Sequence, residues 1–261
     1  THTAGFRWLI SGDRGWDARI QRIARMRIER DWVPGERAGY DAGTSWYILA
    51  ELIRRLDGRD YPQYMRDEVF APIGMTDTFL GIAPETQAAL GGRLGWSYTR
   101  SAGGRLEPEA RLNDPEAIAA VDPGGNARGP IGALGRFYLA MLHHGATPDR
   151  AGRLLDPDAA ERLVDRHRVG MTDRTFGATI DWGLGFMLNS RHHGGDHPYD
   201  FGPHAGRNAF GHGGRQCVTA FADPDHRLVV AWAANGHPGE PLHDQRNRAI
   251  NTAIYRDLAL A

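Results

Sequence analysis

The chain has 261 residues, of which 41% are hydrophobic and 24% charged, a composition typical of a globular protein with a sizeable core. Its formal net charge of −1 gives no field that would attract nucleic acid or an anionic membrane. No apolar run approaches the roughly 20 residues of a membrane span, so we expect neither partner. The single cysteine, Cys217, cannot form an intrachain disulfide, and the first residues lack a secretory pattern. The sequence therefore predicts a cytoplasmic protein.

The first half of the chain is predicted to be largely helical. Apolar residues recur at near-helical spacing from Trp16 to Arg30, among arginines that would form a basic outer face. Pro34-Gly35 ends this segment, and a second helix follows that stops at Gly58. The predicted buried face of this second helix consists of Trp46, Leu49, Ala50, Ile53 and Leu56.

Helices and loops alternate through the middle of the chain. Residues 60–75 predict a short helix ended by Pro72, and residues 91–125, rich in Gly, Pro and polar side chains, predict loops over a cleft. Gly129-Pro130 begins the most regular helix of the sequence. Its apolar side carries Ile131, Leu134, Phe137, Tyr138, Met141 and Leu142. Asp156-Pro157 provides the N-cap and first turn of a further helix.

Apolar stretches near the end of the chain predict β-strands. Trp182–Leu188 predicts one strand, and alternation over Cys217–Ala222 followed by an apolar run from Arg227 predicts an antiparallel hairpin. The first hairpin strand is expected to open at Gly213-Gly214, where the absence of side chains lets a ligand approach the strand edge. A C-terminal helix is expected to cover the hairpin with an apolar face made of Ile250, Ala253, Ile254 and Leu258.

Several motifs resemble, in order and spacing, those of the serine β-lactamase and penicillin-binding-protein-like hydrolases. Thr1-His-Thr-Ala-Gly5 resembles the family's Thr-His-Thr-Ser-Gly, and Pro34-Gly-Glu36 before Tyr40-Asp-Ala42 resembles its Pro-Gly-Glu before Tyr-Ser-Asn. Phe70-Ala-Pro-Ile-Gly-Met75 resembles its Pro-Leu-Gly-Met segment, and His212-Gly-Gly214 resembles its third catalytic motif. This colinear set covers nearly the whole chain and is far more specific than any single motif.

The resemblance implies an α+β fold of the β-lactamase/transpeptidase type, in which helices flank an antiparallel sheet. We expect one domain over residues 1–261, with a mostly helical region at about 40–175 and the sheet hairpin and C-terminal helix at about 176–261. In the family the nucleophile precedes the Thr-His-Thr-Ser-Gly motif. The resemblance therefore also implies that the N-terminal part of the fold is absent from this chain.

All 31 Lys and Arg residues are arginines. The family's first motif, Ser-x-x-Lys, supplies the nucleophile and the lysine that helps to deprotonate it, and a chain without lysine cannot contain it. Ser11-Gly-Asp-Arg14 is the nearest imitation, but arginine stays protonated and cannot act as a base. We expect Ser11 to lie in a surface loop, and an N-terminal segment or companion chain to carry Ser-x-x-Lys. Without it, we expect the apolar faces near Phe137 and Met141 to be uncovered.

The resemblance further implies the catalytic residues. Tyr40 matches the tyrosine that acts as, or relays protons to, the general base. An ordinary phenol, with a pKa of about 10, is a poor base unless a cation lies nearby. His212 stands where β-lactamases have lysine and would offer a hydrogen bond or a positive charge. The backbone N–H of Arg215 would complete the oxyanion hole.

Substrate-binding residues are predicted along the same two motifs. Gly213 and Gly214 would leave room for a substrate beside the strand edge, and Gln216 follows them. Ala42 replaces the family's usual Asn and removes an amide, and whether Asp41 compensates is open. The missing Asn and the histidine of the third motif make β-lactam hydrolysis an unfavoured reaction.

A cluster of metal-binding residue types is the competing feature. Arg191-His-His-Gly-Gly-Asp-His197 is followed by His204 and His212, and histidine and aspartate are ligands of transition metals. Their spacing differs from that of metallo-hydrolases, and histidines in Gly/Pro-rich loops are commonly solvated. We therefore predict neither a catalytic metal nor another cofactor, and rank a His-rich metal-binding protein below the other functions.

The sequence thus predicts serine-dependent acyl transfer on a small-molecule ester, amide or thioester, by a hydrolase of the esterase or amidase type or by a transacylase. The alternative is a binding or scaffold protein that kept the fold and lost the Ser-Lys pair. A Ser-x-x-Lys motif in the polypeptide that accompanies this chain would favour the enzyme.

Overall fold

The computed structural model describes residues 1–6, 15–101, 103–147, 153–195 and 197–261, so that Ser11 lies outside the described residues. Within these ranges the α-helices are α1 (Trp16–Arg25), α2 (Thr44–Asp57), α3 (Tyr61–Tyr64), α4 (Pro84–Leu90), α5 (Ala110–Asn113), α6 (Pro115–Ala119), α7 (Ile131–Leu142), α8 (Pro157–Val164) and α9 (Glu240–Asp257). A π-helical turn (Met65–Phe70) continues α3, and 3-10 turns occupy Gly91–Arg93 and Arg191–His193.

The β-strands of the same ranges are β1 (Phe79–Leu80), β2 (Tyr98–Arg100), β3 (Leu106–Pro108), β4 (Ala127–Arg128), β5 (Thr172–Asp173), β6 (Ala178–Thr179), β7 (Met187–Leu188), β8 (Phe210–Gly214), β9 (Val218–Asp223), β10 (Leu228–Ala233) and β11 (Gly236–His237). The three longest of them, β8, β9 and β10, form an antiparallel sheet with the short strand β7, in the order β10-β9-β8-β7. Asp223 pairs with Leu228 across the turn, which confirms the predicted hairpin.

The chain around Gly213 differs from its predicted course. Instead of opening one long strand, Gly213 lies in β8, and the chain turns back at residues 215–217 to form a second hairpin with β9. The Cys217 N–H donates to the Gly214 carbonyl at 3.0 Å, and Gln216 has a φ of 51°. A non-glycine residue in this left-handed region is uncommon, and an alternating apolar pattern does not reveal it. The two glycines therefore end β8 rather than open β9.

Helix α7 covers one face of the sheet, as a helix with a continuous apolar side must. Its residues Tyr138 and Met141 are buried with Phe210 and Ala220 of the strands. Phe137 packs between this cluster and a second apolar cluster. The expectation that the faces near Phe137 and Met141 would be uncovered is therefore wrong.

Helix α9 covers the opposite face of the sheet, but of its predicted apolar side only Ile254 packs against the buried core cluster there. The buried residues of α9 are His243, Asn247, Asn251 and Tyr255, which recur every fourth residue and share one face. Thr219 Oγ1 donates to Asn247 Oδ1 at 2.8 Å, and Trp232 Nε1 donates to Asn251 Oδ1 at 3.0 Å. Leu258, from the predicted face, is 52% exposed. Hydrogen bonds here take the place that apolar contacts were expected to fill.

Helix α2 forms as predicted and ends at Gly58 in the left-handed conformation, but its buried face is different. Tyr47, Ala50 and Glu51 are buried, whereas two residues of the predicted face, Leu49 and Leu56, are 53% and 86% exposed. Ile48 and Leu52 add to this exposed apolar surface, at 40% and 48%. None of the described helices has the length and hydropathy required to cross a bilayer.

Two segments carry structure that the sequence did not predict correctly. Residues 91–125 contain a hairpin in which β2 pairs with β3, and β2 also pairs in parallel with the distant β11. Of Trp182–Leu188, only Met187–Leu188 is a strand, because the Gly183 N–H donates to the Phe186 carbonyl at 2.9 Å and turns the chain. Strands of two or three residues are too short for a periodic pattern to reveal.

Candidate active site

Tyr40 and His212, which lie far apart in the sequence, meet in one aromatic cluster. Their ring centroids are 5.6 Å apart, and each lies 5.6 Å from the ring of Trp182. Trp182 is fully buried, and Phe176 closes the cluster with its ring 5.0 Å from that of Tyr40. The loop before α2 and strand β8 thus place the two predicted residues side by side.

The backbone of Tyr40 is held on both sides by the loop after β5. Its N–H donates to Asp173 Oδ1 at 3.0 Å, and its carbonyl accepts a hydrogen bond from Thr175 Oγ1 at 2.9 Å. The second oxygen of Asp173 lies 3.0 Å from Arg168 Nη1, and the two side chains are 0% and 1% exposed. Tyr40 is therefore attached to a buried ion pair.

Arg168 links this support to the aromatic cluster. It donates from Nε and Nη2 to the Ile180 carbonyl and from Nη1 to the Thr1 carbonyl, and its guanidinium carbon lies 5.4 Å from the Trp182 ring centroid. A buried guanidinium lowers the stability of the fold unless its N–H groups donate hydrogen bonds and its charge is paired. The sequence did not single out Arg168 or Asp173, because one arginine among 31 carries no distinguishing pattern.

The environment of Tyr40 favours the protonated phenol. Burial raises the pKa of Tyr40 to about 12, and the charges of Asp41 and Asp173 add to this rise. Within the described part of the chain, no cation offsets these effects. At neutral pH the Tyr40 hydroxyl is therefore protonated, so that it can donate a proton or a hydrogen bond, and it can become a base only if a cation approaches.

The environment of His212 favours the neutral imidazole. Nδ1 lies 2.6 Å from the Gly213 carbonyl oxygen and donates to it, so Nε2 carries the lone pair. Nε2 is buried and has no hydrogen-bond partner among the described residues. Burial lowers the pKa of His212. Of the two roles predicted for this residue, the geometry supports the hydrogen bond and not the positive charge.

Strand β8 presents an open edge beside these side chains. β7 pairs with β8 only at Phe210 and Gly211, so in the described ranges the segment from His212 to Gly214 has no strand on that side. Arg215 follows at the turn, and its N–H donates no hydrogen bond within the described part of the chain. A free N–H at a strand edge has the character of an oxyanion donor.

Gly213 is required by packing, whereas the room for a substrate expected at this position stays a prediction. A Cβ at this position would lie 2.1 Å from Cδ1 of Tyr199. Tyr199 cannot easily move away, since its ring is buried and its hydroxyl donates to Glu240 at 3.0 Å. Gly214 is less crowded, because a Cβ added there would lie 3.2 Å from Val218 Cβ.

We expect Gly213→Ala to destabilise the fold by about 1 to 3 kcal/mol, the usual cost of overpacking. The free energy of unfolding in urea measures this loss. Gly236→Ala is the matched control, because a Cβ on this strand glycine would meet no atom within 4 Å. Equal stability of the two variants would contradict the packing role of Gly213.

The remaining predicted substrate-binding residues have structural contacts. Asp41 is buried, and its carboxylate accepts from the N–H groups of Gly43, Thr44 and Ser45 at 3.0, 2.9 and 2.9 Å, which caps α2. It is therefore not a replacement for the missing amide at Ala42. The Ala42 carbonyl instead faces Gly124, where a Cβ would lie 2.2 Å from it.

Gln216 connects the β8–β9 turn to the start of α9. Its Oε1 accepts from the Gly239 N–H at 2.9 Å and its Nε2 donates to Glu240 at 3.1 Å. Its carbonyl accepts from Arg246 at 2.7 Å. The side chain thus holds the turn in place, and the substrate-binding role predicted for it stays a prediction.

His2 and Trp182 are parts of the site that sequence reasoning missed. The His2 ring lies 4.5 Å from Trp182 and 4.7 Å from Tyr40, and Nδ1 accepts from the Asp41 N–H at 3.3 Å. Burial, with nearby positive charges, lowers the pKa of His2 to about 2, so it is neutral. The Thr1–Gly5 motif contains this histidine, but the resemblance of the motif does not by itself show that the His2 ring reaches Tyr40.

Comparison with known proteins identifies the family. The sequence model of the Beta-lactamase family matches residues 1–254. The chain belongs to the beta-lactamase family. It is 26% identical over 250 residues to penicillin-binding protein 4 of Amycolatopsis lactamdurans, a match that covers 90% of this chain and 58% of that protein. The beta-lactamase family includes serine acyl-transfer hydrolases and esterases.

Solved structures with the β-lactamase/transpeptidase-like fold resemble this one. A penicillin-binding protein homologue from Caulobacter crescentus has a TM-score of 0.67 and 26% identity, over 91% of this chain and 64% of that one. EstA from Arthrobacter nitroguajacolicus Rue61a has a TM-score of 0.68 and 20% identity, with coverages of 92% and 66%. Simvastatin synthase from Aspergillus terreus has a TM-score of 0.70 and 18% identity, with coverages of 98% and 67%. These confirm the predicted fold class.

Proposed function

We propose that the protein catalyses serine-dependent acyl transfer on a small-molecule ester, amide or thioester, with a Ser-x-x-Lys nucleophile that lies outside residues 1–261. The observation that carries this proposal is the contact between the rings of a protonated Tyr40 and a neutral His212, beside the edge of β8 that β7 leaves unpaired from His212 to Gly214. We also propose a cytoplasmic location, in which Cys217 stays reduced.

The proposed reaction begins when the serine hydroxyl attacks the substrate carbonyl and gives up its proton to the neighbouring base. The carbonyl oxygen becomes an oxyanion, which accepts hydrogen bonds from the serine's own N–H and from the Arg215 N–H. The Tyr40 hydroxyl gives a proton to the leaving group and regains one through the base. The His212 Nε2 accepts a hydrogen bond from a hydroxyl in the cleft and orients it. Water or another acceptor then releases the acyl group.

Two observations support a nucleophile from outside these residues. Residues 1–261 contain no lysine, so a Ser-x-x-Lys motif cannot come from them. In addition, α2 begins directly after the Tyr40 loop and exposes Ile48, Leu49, Leu52 and Leu56, an apolar surface that a further helix would cover. A lysine on that helix would also provide the cation that lowers the pKa of Tyr40.

A serine-directed fluorophosphonate tests this proposal. We expect residues 1–261 alone to remain unlabelled, and the complete protein with its Ser-x-x-Lys segment to be labelled at one serine, located by mass spectrometry of the adduct. Changing that serine to alanine is the control and should abolish labelling. A complete protein that never labels would favour the binding or scaffold alternative, and a label on any serine of residues 1–261 would refute the assignment.

A further inference from the structure

A cluster of three potential ligands lies outside the set of residues described for the candidate active site. The metal-binding atoms of Asp181, His192 and His193 all lie within 4.8 Å of one another. His193 Nε2 is 2.8 Å from Asp181 Oδ1, and His192 Nε2 is 3.4 Å from Asp181 Oδ2. Two imidazole nitrogens therefore converge on one carboxylate.

The backbone builds this convergence in an unusual way. Side chains of consecutive residues normally diverge, but the 3-10 turn Arg191–His193 places the two imidazoles with ring centroids only 4.0 Å apart. The Asp181 side chain is 0% exposed, whereas those of His192 and His193 are 27% and 21% exposed. A cation can thus enter from the histidine side, and water can complete its coordination.

The surroundings of Asp181 resemble the outer shell of a metal site. The Gly170 N–H donates to Oδ1 at 2.9 Å, and Arg166 Nη1 donates to Oδ2 at 2.7 Å. Arg166 Nη2 is itself held by the Asn189 and Arg207 carbonyls at 3.0 and 2.5 Å. Such partners fix the orientation of a ligating carboxylate. The positive charge of Arg166 weakens the binding of any cation here. An ion with a high affinity for imidazole can still bind, whereas a hard ion that binds imidazole weakly is disfavoured.

We propose that Asp181, His192 and His193 bind one divalent transition-metal ion of the zinc class. Two imidazoles and one carboxylate are a ligand set that zinc accepts, and magnesium and calcium prefer oxygen ligands. The ion would connect the Arg191–His193 turn to Asp181, which is next in sequence to Trp182 of the aromatic cluster around Tyr40. Its role is structural, and the inference does not rest on the proposed acyl transfer.

Titration of the metal-free protein with zinc chloride, followed by isothermal calorimetry, tests the site. We expect one equivalent to bind, and His193→Ala or His192→Ala to weaken binding at least tenfold. The matched control is His143→Ala with His144→Ala, because these are also adjacent, exposed histidines but belong to no such cluster in the described residues. An absence of binding, or equal binding by the His193→Ala protein, would overturn the proposal.

Stability and activity give two further readouts. Zinc should raise the thermal midpoint of the parent protein, since it binds the folded state, and should not raise that of His193→Ala. Chelation should leave the activity of the complete enzyme unchanged. Activity lost on chelation and regained on adding zinc would contradict the structural role of the ion, and a midpoint insensitive to zinc would contradict the site itself.

Discussion

Tyr40→Phe is expected to lower kcat/KM for an activated ester, such as a nitrophenyl acetate, by about 100-fold or more in the complete protein, the usual contribution of a general acid or base. Without the hydroxyl, no proton reaches the leaving group by this route. Stability should change little, because the Tyr40 hydroxyl makes no hydrogen bond in the described part of the chain and the ring contacts are kept. Initial-rate kinetics and urea denaturation measure the two effects.

Tyr64→Phe is the matched control for this substitution. Tyr64 lies at the end of α3, where its ring contacts Arg59, and it takes no part in the aromatic cluster around Trp182. Its loss of a hydroxyl should leave kcat/KM unchanged. If Tyr40→Phe retained the parent's activity, Tyr40 would have to be removed from the mechanism.

The sequence predicted the parts of the site that family motifs mark directly. Tyr40 and His212 were chosen because each stands in a motif, and the fold then brings their rings within 5.6 Å. The hairpin of β9 and β10 was predictable because its alternation is local. The turn after Gly214 was not, since it depends on the left-handed conformation of Gln216.

The supporting residues could not be predicted, because their partners lie far away in the chain. Nothing near Asp173 in sequence indicates that it binds the Tyr40 N–H. The face by which α9 packs was predicted wrongly for a related reason. Asn247 and Asn251 are buried because Thr219 and Trp232 offer matching hydrogen bonds, and such complementarity exists only between elements. Apolar periodicity describes one element at a time.

Asp173→Asn is expected to destabilise the protein by about 3 to 5 kcal/mol, because the buried Arg168 guanidinium loses the carboxylate with which it is paired and keeps only the more distant charge of Asp181. The asparagine oxygen can still accept a hydrogen bond from the Tyr40 N–H. The loss of stability therefore measures mainly the effect of removing the Asp173 negative charge. In the protein with its proposed Ser-x-x-Lys segment, kcat should fall more than KM changes. Loss of the Arg168–Asp173 ion pair weakens the support behind Tyr40 and lets its hydroxyl move, while the strand edge that would bind the substrate remains. Urea denaturation and steady-state kinetics measure these effects.

Two comparisons decide whether the buried charge is the cause. Asp77→Asn removes the same charge from the exposed pair with Arg93, whose N–O distance is 2.7 Å and whose side chains are 51% and 63% exposed. Asp77→Asn should lower the free energy of unfolding by less than about 1 kcal/mol. Adding Arg168→Gln to Asp173→Asn removes the uncompensated cation, and should recover part of the stability although one more native side chain is lost. If Asp173→Asn cost no more than Asp77→Asn, or if the double variant were less stable than the single one, the uncompensated charge of Arg168 would not be the cause of the lost stability.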